Sequence, residues 1–200
     1  MPLSASAAVR NSEPILSVLR NELRGDESVL EVGSGCGYHA VTIAAAMPGL
    51  TWQTSDLREN HVHIEAQIAA ASPENVLPPL SLDVRSEMPD DTRYDVVYSS
   101  NTAHIMSEAA AESMLRLAAQ TLDVGGRFCY YGPIMRAGRF NTRSNAEFDA
   151  SLRARDPSMG IRELDEFDTM LADAGFDRQR VYAMPSNNLF IIWVKTRSGE

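Results

Sequence analysis

A glycine loop, three carboxylates and two histidines hold most of the chemistry that these 200 residues offer. The loop is Glu31-Val32-Gly33-Ser34-Gly35-Cys36-Gly37. Ser28-Val29-Leu30 precedes it, and Tyr38-His39 and the alanine-rich run from Ala40 to Met47 follow it. The order reads as strand, loop, helix. Glycines at alternate positions let the backbone take positive φ and let a ligand approach without meeting a Cβ. The unpaired N–H groups of the opening helical turn then face that ligand. Asp56 closes the next β-rich run, Leu50-Thr51-Trp52-Gln53-Thr54, at the separation that sets a carboxylate beside a bound ribose in a doubly wound fold. The rival reading of Asp56 is a solvated helix cap.

A dinucleotide fingerprint needs G-x-G-x-x-G, with the last glycine bringing helix and strand together around a pyrophosphate. Tyr38 stands at that last place, and the spacing here is G-x-G-x-G. Glu31 sits just before the loop, and a carboxylate there suits a cofactor bearing an ammonium and a sulfonium better than one bearing a pyrophosphate.

The elements around the loop alternate. A helix is expected over 12–24, with Pro14 in its first turn, where a missing N–H costs nothing. Strands are expected at 28–30, 50–54, 80–82, 94–100, 127–131, 178–183 and 189–195, and helices at 58–71, 107–122 and 162–174. Pro78-Pro79 restricts the third strand to a short edge segment beginning at Leu80. Alternation implies right-handed crossovers and a parallel sheet covered on both faces. The last two strands are joined by Met184-Pro185-Ser186-Asn187-Asn188, too short for a crossover, so they form an antiparallel hairpin. The fold expected is therefore α/β, doubly wound and mostly parallel, in a single domain over 1–200. The segment 133–162 is too long for an ordinary connection and reads as an irregular lid or substrate platform.

A hydrophobic fraction of 44% with 22% charged residues is that of an ordinary globular domain. The net charge of −9 repels polyanions, so neither nucleic acid nor an anionic membrane is an expected partner. No apolar run is long enough to span a bilayer and the first residues lack a signal-peptide pattern, which leads to the expectation of a cytoplasmic protein. Cys36 and Cys129 form no C-x-x-C and read as reduced thiols. His61 and His63 diverge on their helix, and no metal site is expected.

Glu31 to Gly37 resembles the first motif of the class I S-adenosylmethionine-dependent methyltransferases, and the order of elements resembles their seven-stranded sheet. More narrowly, Arg10-Asn11 with Glu13 to Leu16, Asn75 to Leu80, Ala103-His104-Ile105-Met106, Tyr131-Gly132-Pro133 and Ser144 to Asp149 through Arg155-Asp156-Pro157 resemble a methyltransferase-like family long catalogued as a domain of unknown function. The resemblance implies S-adenosylmethionine as cofactor. It implies that Glu31, Gly33 and Gly35 hold the methionine part, Asp56 the ribose, and Asp83 with Val84 the adenine, while Asn101 closes the pocket and Leu57 is a further cofactor-binding residue. The activity implied is methyl transfer to an O, N or S atom of a small molecule. A nicotinamide-dependent oxidoreductase and a non-catalytic cofactor-binding partner subunit are the competing readings.

Methyl transfer is in-line displacement, so alignment supplies much of the rate and a base is needed only for a protonated nucleophile. His104, on the loop after the fourth strand, is the first candidate base, and His39 the second. Either could instead be a packing residue. Asn11, Tyr131, Arg139, Asn145, Asp149 and Asn187 are expected to converge over the same edge as an acceptor site. Arg136, Arg139, Arg143, Arg153, Arg155 and Arg162 could grip a carboxylate or phosphate there, or pair with nearby acids such as Glu147 and Asp149.

Overall fold

The computed structural model describes residues 3–86, 88 and 91–199, with side chains from Ala7 onward. Its elements are α1 (Leu3–Glu22), β1 (Ser28–Val32), α2 (Tyr38–Ala46), β2 (Thr51–Asp56), α3 (His61–Ala71), β3 (Val76–Ser81), β4 (Tyr94–Ser100), α4 (Glu108–Thr121), β5 (Leu122–Gly132), α5 (Arg143–Arg155), α6 (Leu164–Asp173), β6 (Phe176–Ala183) and β7 (Leu189–Lys195). The strands form one seven-stranded sheet in the order β3-β2-β1-β4-β5-β7-β6. All pairings are parallel except those of β7, which runs antiparallel to both β5 and β6. The doubly wound sheet with its antiparallel hairpin is thus observed.

Successive side chains along a strand point to opposite faces, and here both faces are covered. Val29, Trp52, Val96, Cys129 and Phe190 join Ile15, Leu19 and Ile43 of α1 and α2 in one core. Leu30, Val97, Phe128 and Trp193 join Met114, Leu117 and Leu171 of α4 and α6 in the other. Ile15, Leu19 and Ile43 are wholly buried, and truncating any one to Ala would cost about 2–5 kcal/mol. The turn from α1 into β1 is closed by Glu27, whose buried carboxylate accepts the N–H groups of Arg24 (2.7 Å), Gly25 (2.8 Å) and Asp26 (3.1 Å).

Four expected boundaries are corrected. α1 starts at Leu3 rather than 12, and Pro14 lies inside it. The alanine-rich turns before Pro14 favour helix, and α1 is buried against the sheet on Ile15, Leu16 and Leu19, which together outweigh the one backbone bond that proline removes. β3 runs straight through Pro78-Pro79, which it tolerates as the outermost strand, with a register irregularity against β2 between Gln53 and Ser55. β5 begins at Leu122, so Gly125-Gly126 is not the end of a helix. It sits inside a bulge between the pairs Tyr94 with Leu122 and Val96 with Arg127. The segment 133–162 is not irregular throughout, because α5 occupies 143–155. Thr142 caps it by accepting the N–H of Asn145 at 3.3 Å.

Candidate functional site

The carboxyl ends of β1, β2 and β4 meet at the glycine loop. Gly33 and Ser34 both donate to the Ser55 carbonyl (3.1 and 2.9 Å), and Ser34 Oγ accepts the N–H of Ser55 (3.1 Å). The hydroxyls of Ser55 and Ser99 donate to the carbonyls of Glu31 (2.6 Å) and Val32 (2.9 Å) from either side. The first half of the loop is thereby fixed to both neighbouring strands. Gly33 has φ 77°, and a Cβ there would stand 2.5 Å from Thr102 Cγ2, so packing alone demands glycine. Gly35 has φ 59° with nothing within 4 Å of where its Cβ would lie. It presents bare backbone to open space.

Glu31 is 2% exposed, and its Oε2 accepts the indole N–H of Trp52 at 3.1 Å. Burial pushes its carboxyl up to about 7, against the hydrogen bonds of Ser34 and Trp52, which favour the ionised form. Asp56 ends β2. Its Oδ2 accepts the N–H of Gly35 (2.7 Å), and its Oδ1 accepts the N–H of Leu57 (2.7 Å) and the amide of Asn60 (2.7 Å). Next to it Leu57 is an exposed apolar side chain. Glu31, Gly33, Gly35, Asp56 and Leu57 are therefore contiguous.

Asp83 follows β3 and is held by Arg85, whose Nε and Nη2 reach its two oxygens at 3.0 and 2.6 Å, with the Arg85 N–H adding a third bond at 3.0 Å. These bonds draw its carboxyl down to about 2, and they occupy acceptor sites that an adenine amino group would use. Val84 is half-buried against the α4 and α6 core. Asn101 turns the chain after β4 with φ 57° and donates its N–H to the Tyr131 carbonyl at 2.8 Å.

His39 is a brace. Its Nε2 lies 3.2 Å from the Ala8 carbonyl and its Nδ1 3.4 Å from the Tyr98 hydroxyl, so one nitrogen donates to α1 and the other accepts from β4. Burial lowers it to about 4, and neither nitrogen is left for an acceptor. His104 differs. It is 6% exposed, its Nδ1 is enclosed without a partner among the described residues, and its ring meets that of Phe148 edge-on at 5.3 Å. Burial, with Arg162 and Arg155 nearby, lowers it to about 4, so it is neutral at physiological pH.

The expected acceptor residues divide. Asn145 and Asn187 come together: Asn145 Nδ2 donates to Asn141 Oδ1 (2.7 Å) and to the Asn187 carbonyl (3.3 Å). Asn141 also donates to that carbonyl (2.9 Å), and Asn187 itself reaches Ser144 Oγ (3.3 Å). Tyr131 joins the same hairpin turn, its hydroxyl accepting from Asn188 at 3.0 Å. Asn11 is 7% exposed on α1. Asp149 is a structural tie, accepting Arg153 Nε (2.8 Å) and the Ile161 N–H (2.7 Å). Arg139 is exposed in a turn with Arg136. The other arginines of the segment are engaged within the chain: Arg143 with Glu147 (2.8 Å), Arg155 with the sulfur of Met159 (3.1 Å), and Arg162 with backbone carbonyls. The anion platform expected from sequence is thus reduced to Arg136 and Arg139.

Sequence reasoning passed over Trp52, Asn141 and Asn188 as site residues. The cap pattern of Thr142 with Asn145 was present and could have located α5, but the buried face of that helix is Asn145, Asp149 and Leu152, which no apolar periodicity reveals. Among the described residues no helix is long and apolar enough to cross a membrane.

Solved structures share this fold. An O-methyltransferase family protein from Burkholderia thailandensis superposes with a TM-score of 0.79 at 19% identity, over 94% of this chain and 57% of that one. An O-methyltransferase family 2 protein from Planctomyces limnophilus, solved with apigenin, gives 0.82 at 15% identity, over 96% and 59%. The methyltransferase CalO1 of calicheamicin biosynthesis, solved with S-adenosylhomocysteine bound, gives 0.76 at 18% identity, over 97% and 55%. The chain spans a little over half the length of each of these proteins. The sheet order, the loop and these likenesses define a class I methyltransferase fold, and the family model described as "Protein of unknown function (DUF938)" matches residues 2–195, so the chain belongs to that family.

Proposed function

We propose that the protein is an S-adenosylmethionine-dependent methyltransferase that acts on a hydroxyl of an uncharged or weakly charged small molecule. The observation that supports this most is Glu31: a carboxylate only 2% exposed, hydrogen-bonded by Trp52 and Ser34 but facing no basic side chain among its hydrogen-bond partners, beside a glycine loop whose open position is Gly35. A buried anion of this kind needs a cation, and a methionine ammonium provides one. Gly35 would offer its backbone, Asp56 would accept from the ribose with its remaining lone pairs, and Leu57 would cover an apolar ring. When bound, the cofactor supplies an electrophilic methyl carbon.

His104 is the residue proposed to act on the acceptor. With the proton on Nδ1, its Nε2 presents a lone pair to an acceptor hydroxyl, and its low basicity keeps that lone pair free at neutral pH. A phenolic hydroxyl, near pKa 10, is far closer to such a base than an aliphatic one. Phe148 and Ile105, at 39% and 47% exposed, supply apolar surface next to His104. With most arginines of 133–162 already engaged, an apolar contact is the better supported mode of acceptor binding.

The test is transfer of labelled methyl groups from S-adenosylmethionine to a metabolite extract. Label should enter small molecules and be lost with His104→Ala. Label confined to macromolecules, or transfer unaffected by His104→Ala, would contradict the reading.

A further inference from the structure

Arg162 is 7% exposed, although the sequence around it suggests a surface arginine waiting for an anion. Its guanidinium points inward. Nε donates to the Ala103 carbonyl at 3.1 Å, and Nη2 donates to the carbonyls of Met106 and, at 2.9 Å, Ser158. Between those anchors the Gly160 N–H donates to the carbonyl of His104 itself at 3.0 Å. One fork and one amide therefore hold the backbone at 103, 104 and 106, on both sides of the imidazole. The same strap is tied to α5, because Asp149 accepts the Ile161 N–H at 2.7 Å and Arg153 Nε at 2.8 Å, while Phe148 of α5 abuts the His104 ring.

We propose that Arg162 is a positioning residue that locks the 101–106 loop to the 158–162 strap, so that the docking of α5 and the alignment of His104 are a single event. The proposal rests on the reading of His104 as the acceptor base, and it deepens that reading by naming what controls the base. A planar fork suits the task. Lysine could satisfy one or two of these carbonyls but could not hold three in one fixed arrangement. The fork also brings a buried cation toward the imidazole, with Arg155 the second cation acting on it, which opposes protonation of His104. Removing the guanidinium releases the loop and also removes part of the field that keeps His104 neutral.

The test needs no acceptor. The His104 imidazole is titrated by NMR in the full-length, ligand-free chain as wild type, Arg162→Gln, Arg162→Lys, Gly160→Ala and the surface control Arg116→Gln. The wild-type ring should titrate near 4, chiefly through burial, and Arg162→Gln should raise it, with shifts across the 101–106 amides. Arg162→Lys should keep the low value yet still move those amides. Gly160→Ala leaves the guanidinium in place but puts a Cβ at φ 153°, a backbone conformation that L side chains rarely adopt, so the strap backbone must shift and its bond to the His104 carbonyl with it. That variant gives the answer should Arg162→Gln fail to fold. A folded Arg162→Gln or Gly160→Ala protein with unaltered His104 titration and unaltered loop amides would overturn the proposal. Failure of the cofactor reading would show separately, as absence of S-adenosylhomocysteine binding to the wild type.

Discussion

Asp56 Oδ2 accepts the N–H of Gly35 at 2.7 Å, so the carboxylate at the tip of β2 already holds the open glycine of the β1 loop. With Oδ1 on Leu57 and Asn60, the side chain both shapes the loop and faces the proposed ribose position. Asp56→Ala should weaken S-adenosylhomocysteine binding by about 1.5–3 kcal/mol, the worth of hydrogen bonds to a charged group. It should also lower the thermal midpoint of the ligand-free chain, since three donors lose their acceptor. Calorimetry and a melting curve measure the two effects, and unchanged affinity would remove Asp56 from the site.

Glu31 makes a prediction with two opposite signs. Its carboxyl stands near 7 in the folded chain against 4.5 unfolded, so the folded state binds the extra proton between those values. The stability contributed by Glu31 is thus greatest below pH 4.5 and is lost as pH rises toward 7, by about 3 kcal/mol at most. A bound ammonium favours the ionised form, so cofactor affinity should rise over the same range. The difference in unfolding free energy between wild type and Glu31→Gln, followed from pH 5 to 8, isolates this group from His39 and His104, whose lowered values make stability rise with pH between about 4 and 6.5. An affinity for S-adenosylhomocysteine that does not change from pH 5.5 to 8 would show that Glu31 does not face the cation.

The two loop glycines should respond differently to alanine. Both have positive φ, which costs roughly 1–2 kcal/mol for an L side chain. Gly33→Ala adds a clash with Thr102 and should lower stability well beyond that, whereas Gly35→Ala meets nothing. Its loss should fall on cofactor affinity instead. Thermal melts of the pair rank stability and calorimetry ranks affinity; an affinity for S-adenosylhomocysteine unchanged by Gly35→Ala would show that Gly35 does not border the ligand.

Asn145 ties α5 to the turn between β6 and β7 through the Asn187 carbonyl. Asn145→Ala removes a buried amide and should cost about 1–2 kcal/mol. Hydrogen exchange should quicken over 141–155 while α2 and α4 remain protected. Uniform acceleration across the chain would mean that α5 does not open independently.

The parallel sheet, the closing hairpin and the glycine loop were legible because each rests on local signals: alternation of elements, a connection too short to cross over, and residues with special backbone freedom. Asp56 was legible for the same reason, as a carboxylate at a strand tip. What stayed hidden depends on long-range contacts. Pro14 as a helix start and Gly125-Gly126 as a helix stop were sound local inferences, overridden by burial of α1 and by a bulge that only the register with β4 defines. Asp149 and Arg162 were read by charge as acceptor-binding residues, but their partners are a backbone N–H twelve residues away and carbonyls more than fifty residues away. His39 and His104 carry the same local promise, and only the positions of Ala8, Tyr98 and Phe148 separate a brace from a free imidazole.

The central claim is that the loop from Glu31 to Gly37, with Asp56, binds the sulfonium cofactor, and calorimetric titration of the full-length chain with S-adenosylhomocysteine and with NAD tests it most directly. The account predicts saturable binding of one S-adenosylhomocysteine per chain, weakened by Asp56→Ala and by Glu31→Gln, with no heat from NAD. Saturable NAD binding together with silence toward S-adenosylhomocysteine would contradict it.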